Sequence, residues 1–346
     1  MLKRGLIGAG GAGGPKQQFI FVAFQSSPYI SAYPWSSSGF GAKFANPSIL
    51  PTGSGLDVAF SPAGDAIAVA HDLSPYIATY PWSDSGFGAK FANPSTLPAG
   101  AGLGVAFSPA GDAIAVSHVT SPYITAYPWS SSGFGAKFAN PSIQPSGLGR
   151  SVTFSPAGDA IAVSHDSTPY IATYQWSSSG FGAKFANPST LPAERGYGVA
   201  FSPAGDAIAV GHQGAPYITA YQWSSSGFGA KFANPSTLPA GTGLRVTFNP
   251  SGDAVVVGSN SSPYITAYPW SSSGFGAKFA NPSTLPSIAG YDVAFNSSGD
   301  TLAVARYSSP YINAHQWSDS GFGAKFADPT VLPTGIARAV AFGETQ

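Results

Sequence analysis

Apolar and polar positions alternate with a period of two over short stretches of this chain, and the stretches themselves recur. In the phrase spanning 58–98, VAFSPAGDAIAVAHDLSPYIATYPWSDSGFGAKFANPSTLP, Ile67 and Val69 alternate with Ala66, Ala68 and Ala70, while Tyr76, Tyr80 and Trp82 fall on one side of a second run. Both faces of the alanine run are apolar, which predicts a strand covered on each side. No stretch carries a helical period. Four runs per phrase are bounded by Gly, Pro, Asn and Ser and read as strands: a over 58–60, b over 66–71, c over 76–82 and d over about 90–95. Between a and b, Ser61-Pro62-Ala63-Gly64-Asp65 offers a preset φ at Pro and room for a positive φ at Gly, so a tight turn is predicted.

Tryptophans at 35, 82, 129, 176, 223, 270 and 317 mark seven copies at a constant spacing of 47 residues. A period in the forties with four strands per unit predicts an all-β, seven-bladed β-propeller of four antiparallel strands per blade. Bulky rows of one blade should meet the alanine rows of the next. Aligned by period, Gln346 and Gln18 meet at an a-to-b turn. The last blade therefore takes strand a from 339–342 and strands b, c and d from 19–24, 28–35 and about 43–48, so that the C-terminal strand seals the ring against the N-terminal three. The expected organisation is a Gly-rich arm over 1–17 and one propeller over 18–346.

Composition narrows the function classes. Fifteen basic residues balance fifteen acidic ones, so no positive excess exists to displace phosphate counterions and nucleic acid is not an expected partner. The absence of Cys removes disulfide and zinc-thiolate chemistry. No apolar run approaches the roughly 18 residues of a membrane span. In the arm, Gly8 to Gly13 formally match GxGxxG, but no strand precedes them and Gly14-Pro15 follows where a helix should start, so no dinucleotide cofactor is expected.

Seven copies can be compared with one another. The a–b turn and the WSSSGFGAKF segment between c and d are nearly constant. The d–a and b–c loops, at the other end of the ring, vary and carry Arg150, Arg195, Arg245, Arg306 and Arg338 with Asp57, Asp72, Asp166, Glu194 and Asp292. Loops on a rigid scaffold are the usual place for recognition. Arg150, Arg195, Tyr197, Arg245, Tyr291 and Tyr307 are the candidate binding residues of this varied face. The lysines (Lys43, Lys90 and their equivalents) and the turn aspartates (Asp65 and its equivalents) are expected together on the uniform face. His71, His118, His165 and His212 recur one per blade, too far apart for a shared metal, and a hydrogen-bonding role at the strand end is expected. No Ser-His-Asp set or paired carboxylates stand out from the repeat, so catalytic, cofactor and metal residues are all expected to be none.

FSPAGDAIAVAH resembles the FSPDG-x-x-L-A-V turn and strand of WD40-like and YVTN-type propeller repeats in all seven copies. Trp82 is followed by Ser83, and the Gly-His of the d–a loop is missing, so that family's hydrogen-bonded tetrad does not carry over. PYI-x-AY-x-WS and GFGAKFANP are similar to repeat proteins of tailed bacteriophages. The resemblance implies a rigid interaction platform. The expected function is a non-enzymatic structural or adhesive component of a virion, docked on other particle proteins through Lys3, Arg4, Leu6 and Ile7 of the arm, with a host-surface glycan or protein on the varied face. A multivalent propeller lectin and a cellular peptide-binding scaffold are the alternatives. The expected location is the virion, with a secreted or cytoplasmic protein as the alternative.

Overall fold

The constant turn explains itself in hydrogen bonds. Ser61 Oγ donates to Asp65 Oδ1 at 2.7 Å and accepts from the N–H groups of Asp65 and Ala66. The Asp65 carbonyl in turn accepts the Trp82 N–H at 2.7 Å. One short polar motif thus ties strands a, b and c of a blade together, which is why it recurs. The computed structural model describes residues 16–286 and 288–345; the expected docking residues Lys3, Arg4, Leu6 and Ile7 lie outside them.

The described residues form seven four-stranded antiparallel sheets and no helix. The first complete blade is β4 (Gly55–Phe60), β5 (Ala66–His71), β6 (Ile77–Ser83) and β7 (Gly86–Phe87). The innermost strands of the next five blades are β8 (Gly102–Phe107), β12 (Gly149–Phe154), β16 (Gly196–Phe201), β20 (Gly243–Phe248) and β24 (Gly290–Phe295). The ring closes where β28 (Ala337–Glu344) pairs with β1 (Gln18–Phe24), Gln18 opposite Glu344 and Ala23 opposite Ala339. β2 (Ile30–Ser36) and β3 (Gly39–Phe40) complete that blade. Neighbouring innermost strands contact one another all the way round, so they line a central channel.

Packing follows the alternation. Ile67 and Val69 join a cluster with Phe19, Phe21 and Ala23 of the preceding blade, while Ala66, Ala68 and Ala70 meet Val105, Ile114 and Val116 of the following one. Trp82 sits edge-on to Phe87, Phe44 and Phe21, with centroids 4.7 to 5.1 Å apart. Blades are also stitched by buried phenols: Tyr80 donates to the Ile49 carbonyl at 2.9 Å, Tyr127 to Thr96 at 2.8 Å and Tyr268 to Thr237 at 2.7 Å.

Four details differ from the sequence reading. Strand c starts at Ile77, because Tyr76 turns the chain with φ 70° and is only half-buried. The fourth strand starts at Gly86, directly after a turn in which Gly86 adopts φ 103°, and not near Lys90. It is two residues long in four blades but five in β15 (Gly180–Lys184), β19 (Gly227–Lys231) and β27 (Gly321–Lys325). The innermost strands begin earlier than expected, taking up residues assigned to the varied loops. Finally, the lysines do not join the turn aspartates: Lys184 lies opposite Tyr174, halfway up the blade, and bonds to Asn187, as Lys325 does to Asp328.

Candidate functional site

Because the innermost strands start at Gly55 and its equivalents, their second and third residues stand at the mouth of the channel on the varied face. The second residue of each blade, Leu56, Leu103, Arg150, Tyr197, Leu244, Tyr291 and Arg338, contributes to one basin of about 290 Å³, with Arg245 also in its lining. Seven equivalent positions thus supply three leucines, two tyrosines and two arginines, so the rotational symmetry of the scaffold is broken here.

The third residues set the charge. In chain order they are Asp57, Gly104, Ser151, Gly198, Arg245, Asp292 and Ala339. Arg245 Nη2 lies 3.2 Å from Asp57 Oδ1 and its Nε 3.6 Å from Asp292 Oδ1, each side chain keeping about an eighth of its surface exposed. The carboxylates are fixed by their neighbours' backbones. Val105 N–H donates to Asp57 Oδ2, and Val340 and Val293 N–H donate to Asp292, all at 2.9 Å. Gly198 makes room: a Cβ there would fall 2.6 Å from the Arg245 Cα. Burial raises both aspartates above the ordinary carboxylate range, against the pull of the Arg245 guanidinium, and Asp57 raises Asp292 further. Arg245 itself is raised, because the two carboxylates outweigh its own desolvation.

The other two cations are held differently. Arg150 stacks on Tyr197 at 4.7 Å and reaches Asp166 at 4.0 Å. Arg338 stacks on Tyr291 at 4.2 Å, and the Gln25 amide oxygen accepts from its Nη2 at 2.6 Å and its Nε at 3.1 Å. Among the described residues no carboxylate pairs with Arg338. With three arginines against two carboxylates, and Asp166 at the edge, the basin suits an anion beside two proton-exchanging groups.

Of the expected binding residues, Arg150, Tyr197, Arg245 and Tyr291 line the basin. Tyr307 stands beside it, 6.2 Å from Tyr291 between ring centroids. Arg195 is exposed on its loop and is not part of the lining. Asp57, Asp292 and Arg338 were noted on the varied face without being assigned to the site. The signal was present in the third-residue column, where an Arg and two Asp replace small residues. The histidines form no common site: His118 and His212 bond Thr125 and Thr219 through Nε2 at 2.9 Å, and burial depresses all four to about 4. Among the described residues no group of three or more candidate ligands gathers for a metal.

No family model and no curated protein sequence matches the chain. Solved structures do. A protein from Lactobacillus plantarum is similar over 94% of this chain and 99% of its own, with TM-score 0.75 and 12% identity. The periplasmic gluconolactonase of Pseudomonas aeruginosa matches with TM-score 0.71 and 15% identity, covering 94% of this chain and 99% of that one. A protein from Bacteroides uniformis with the provisional name 6-phosphogluconolactonase matches over the same shares with TM-score 0.71 and 14% identity. At these identities the likeness establishes the propeller fold.

Two expectations are corrected. A non-enzymatic virion component was expected, with a lectin or scaffold as alternatives, and no catalytic residue. Two of these three structures bear lactonase names, and none of the three is a phage protein. The physical reason for the error lies in the repeat. Asp57, Arg245 and Asp292 are far apart in sequence and look like drift in three separate copies, but the ring brings them together at its axis.

Proposed function

We propose that the chain is a hydrolase acting on a small lactone that carries an anionic group, bound in the basin at the channel mouth. The observation that carries this reading is the Asp57–Arg245–Asp292 cluster at the axis, where the repeat is broken by an arginine and two carboxylates of raised pKa. The lactonase names of similarly folded proteins support it.

In this reading Asp57, the carboxyl that ionises first, takes a proton from a water molecule whose oxygen attacks the lactone carbonyl carbon. Negative charge then develops on the carbonyl oxygen. Arg245 has five N–H donors and spends only some of them on the two aspartates, leaving others for that oxygen. Collapse of the tetrahedral intermediate breaks the ring C–O bond, and the departing oxygen receives a proton from Asp292, which burial and the Asp57 charge keep protonated up to about pH 7. Two carboxyls in one cluster, both raised by burial, are suited to such a division of labour.

The test is hydrolysis of D-gluconolactone and its 6-phospho derivative, corrected for the spontaneous reaction. The intact protein should accelerate at least one of them, with activity falling as pH rises through about 7, where Asp292 loses the proton it donates. D292N should lose about 100-fold or more of kcat/KM. No acceleration of either lactone, or an unimpaired D292N, would falsify the reading.

A further inference from the structure

The basin is not symmetric about its axis, and one blade departs from the others just outside it. At the position of Ile288 five blades have Gly (Gly53, Gly100, Gly147, Gly241 and Gly335) and one has Glu194. At the position of Tyr307 the others have Gln25, Asp72, Val119, Asp166, Gln213 and Asn260. Both changes fall in the same blade and both expose apolar surface: Ile288 is 44% exposed and Tyr307 43%. The Tyr307 N–H donates to the Ala289 carbonyl at 3.3 Å, which holds the two loops side by side. The Tyr307 ring lies 6.2 Å from Tyr291 at an interplanar angle of 36°. Tyr291 carries the Arg338 guanidinium 4.2 Å from its ring centre.

Charge distinguishes this side of the basin from the others. Arg245 is matched by two aspartates and Arg150 by Asp166. Arg338 has only neutral partners, the Tyr291 ring and the Gln25 amide, among the described residues. An arriving anion gains most where the cation is not already neutralised. A row of Arg338, Tyr291 and Tyr307 therefore leads from an anion-seeking guanidinium to an exposed aromatic edge.

We propose that this row is a subsite for an aryl anion: the phosphate or carboxylate rests on Arg338, and the attached planar ring lies on the shelf made by Tyr307 and Tyr291 beside Ile288. The proposal goes beyond the hydrolase reading by adding a ligand class, one bearing an aromatic ring next to its anionic group, and it rests on the basin being the ligand site. Tyrosines fit the role because their π-faces accept any planar ring without demanding a hydrogen-bond pattern.

Equilibrium binding of phenyl phosphate and methyl phosphate, two anions of like charge, tests it by calorimetry on the full chain. The intact protein should bind phenyl phosphate about tenfold more tightly. Y307A should bring the two affinities within about twofold of each other while leaving methyl phosphate binding unchanged, and Y307F should keep the preference. R338A should weaken both ligands. Equal affinities in the intact protein, a preference that survives Y307A, or no binding of either phosphate would each overturn the subsite. Turnover of uncharged gluconolactone is read separately, so a failed subsite with hydrolysis intact and a working subsite without hydrolysis are different results.

Discussion

At the residue scale, His315 occupies the place where six blades bury a tyrosine. Its equivalents Tyr33, Tyr80, Tyr127, Tyr221 and Tyr268 donate to a carbonyl of the neighbouring blade, at 2.7 to 2.9 Å. His315 is 1% exposed, and neither ring nitrogen has a hydrogen-bond partner among the described residues. Burial depresses its pKa to about 4, with Lys325 and Arg306 adding to the effect. The unfolded chain protonates His near its ordinary 6.5 while the folded one does not, so this group's stability is complete above that pH and lost as pH falls towards 4. That loss is on the order of 3 kcal/mol. H315Y should therefore raise the melting temperature at pH 7, where Thr284 stands in the place of the carbonyls that the other tyrosines reach, and make the decline between pH 6.5 and 4 shallower, His71, His118, His165 and His212 keeping their share of it. Thermal denaturation across that range checks both. A lower melting temperature at pH 7 would show that this site has lost the shape that accepts tyrosine elsewhere.

At the element scale, the length of the fourth strand follows one residue of its neighbour. Four blades have Pro34, Pro81, Pro128 or Pro269 in strand c and a two-residue fourth strand; three have Gln175, Gln222 or Gln316 and a five-residue one. The residue lies opposite strand b at Ala160 or Ala113, yet Pro is accepted there. Its missing N–H must therefore face the outer strand, where the proline blades cannot offer a donor. Q175P should cut β15 back to about Gly180–Phe181 and speed amide exchange at Ala183 and Lys184, while Gly182 stays protected on the residue 175 carbonyl as Gly88 is on that of Pro81. Global stability should change by less than about 1 kcal/mol, because one hydrogen bond is removed at a position where the fold already tolerates proline. Unchanged exchange would mean that the side chain, not the backbone donor, sets the strand length.

At the scale of the whole molecule, the ring is held by a single non-local pairing of β28 with β1. Surrounding it are a Lys16–Glu344 ion pair at 2.9 Å and a Ser297–Glu344 hydrogen bond at 2.6 Å. These two kinds of contact differ in weight. Lys16 is half-exposed, so the ion pair is worth at most about 1 kcal/mol, and E344A should barely move the melting temperature. Removing 337–345 is another matter, because it exposes the row that Ala337, Ala339 and Val340 cover and opens two blade interfaces. The truncated chain should melt at least about 10 °C lower, as followed by circular dichroism, or fail to fold cooperatively. Melting within a few degrees of the full chain would show that the blades do not depend on closure.

The repeat by itself determined the architecture. Blade number, closure point, the core rows of Ile67 and Val69 against alanines, and the a–b turn are all local or periodic properties, and periodicity survives in one dimension. Strand ends were less legible: Tyr76 belongs to a turn and Gly86 to a strand because backbone φ and hydrogen-bond geometry decide there, and residue type alone does not. The charged residues of the basin stand out in the third-residue column of the repeat, but that they meet was decided by the tertiary structure. Asp57, Arg245 and Asp292 sit in three copies separated by long stretches of chain, and only the closed circle places their strands around one axis. Burial at that axis then raises the two carboxyls, which no reading of an isolated loop could assign. The same holds for Arg338: its identity is plain in the sequence, but that it meets a tyrosine ring and a neutral amide, and no carboxylate, follows from which blades the ring makes neighbours.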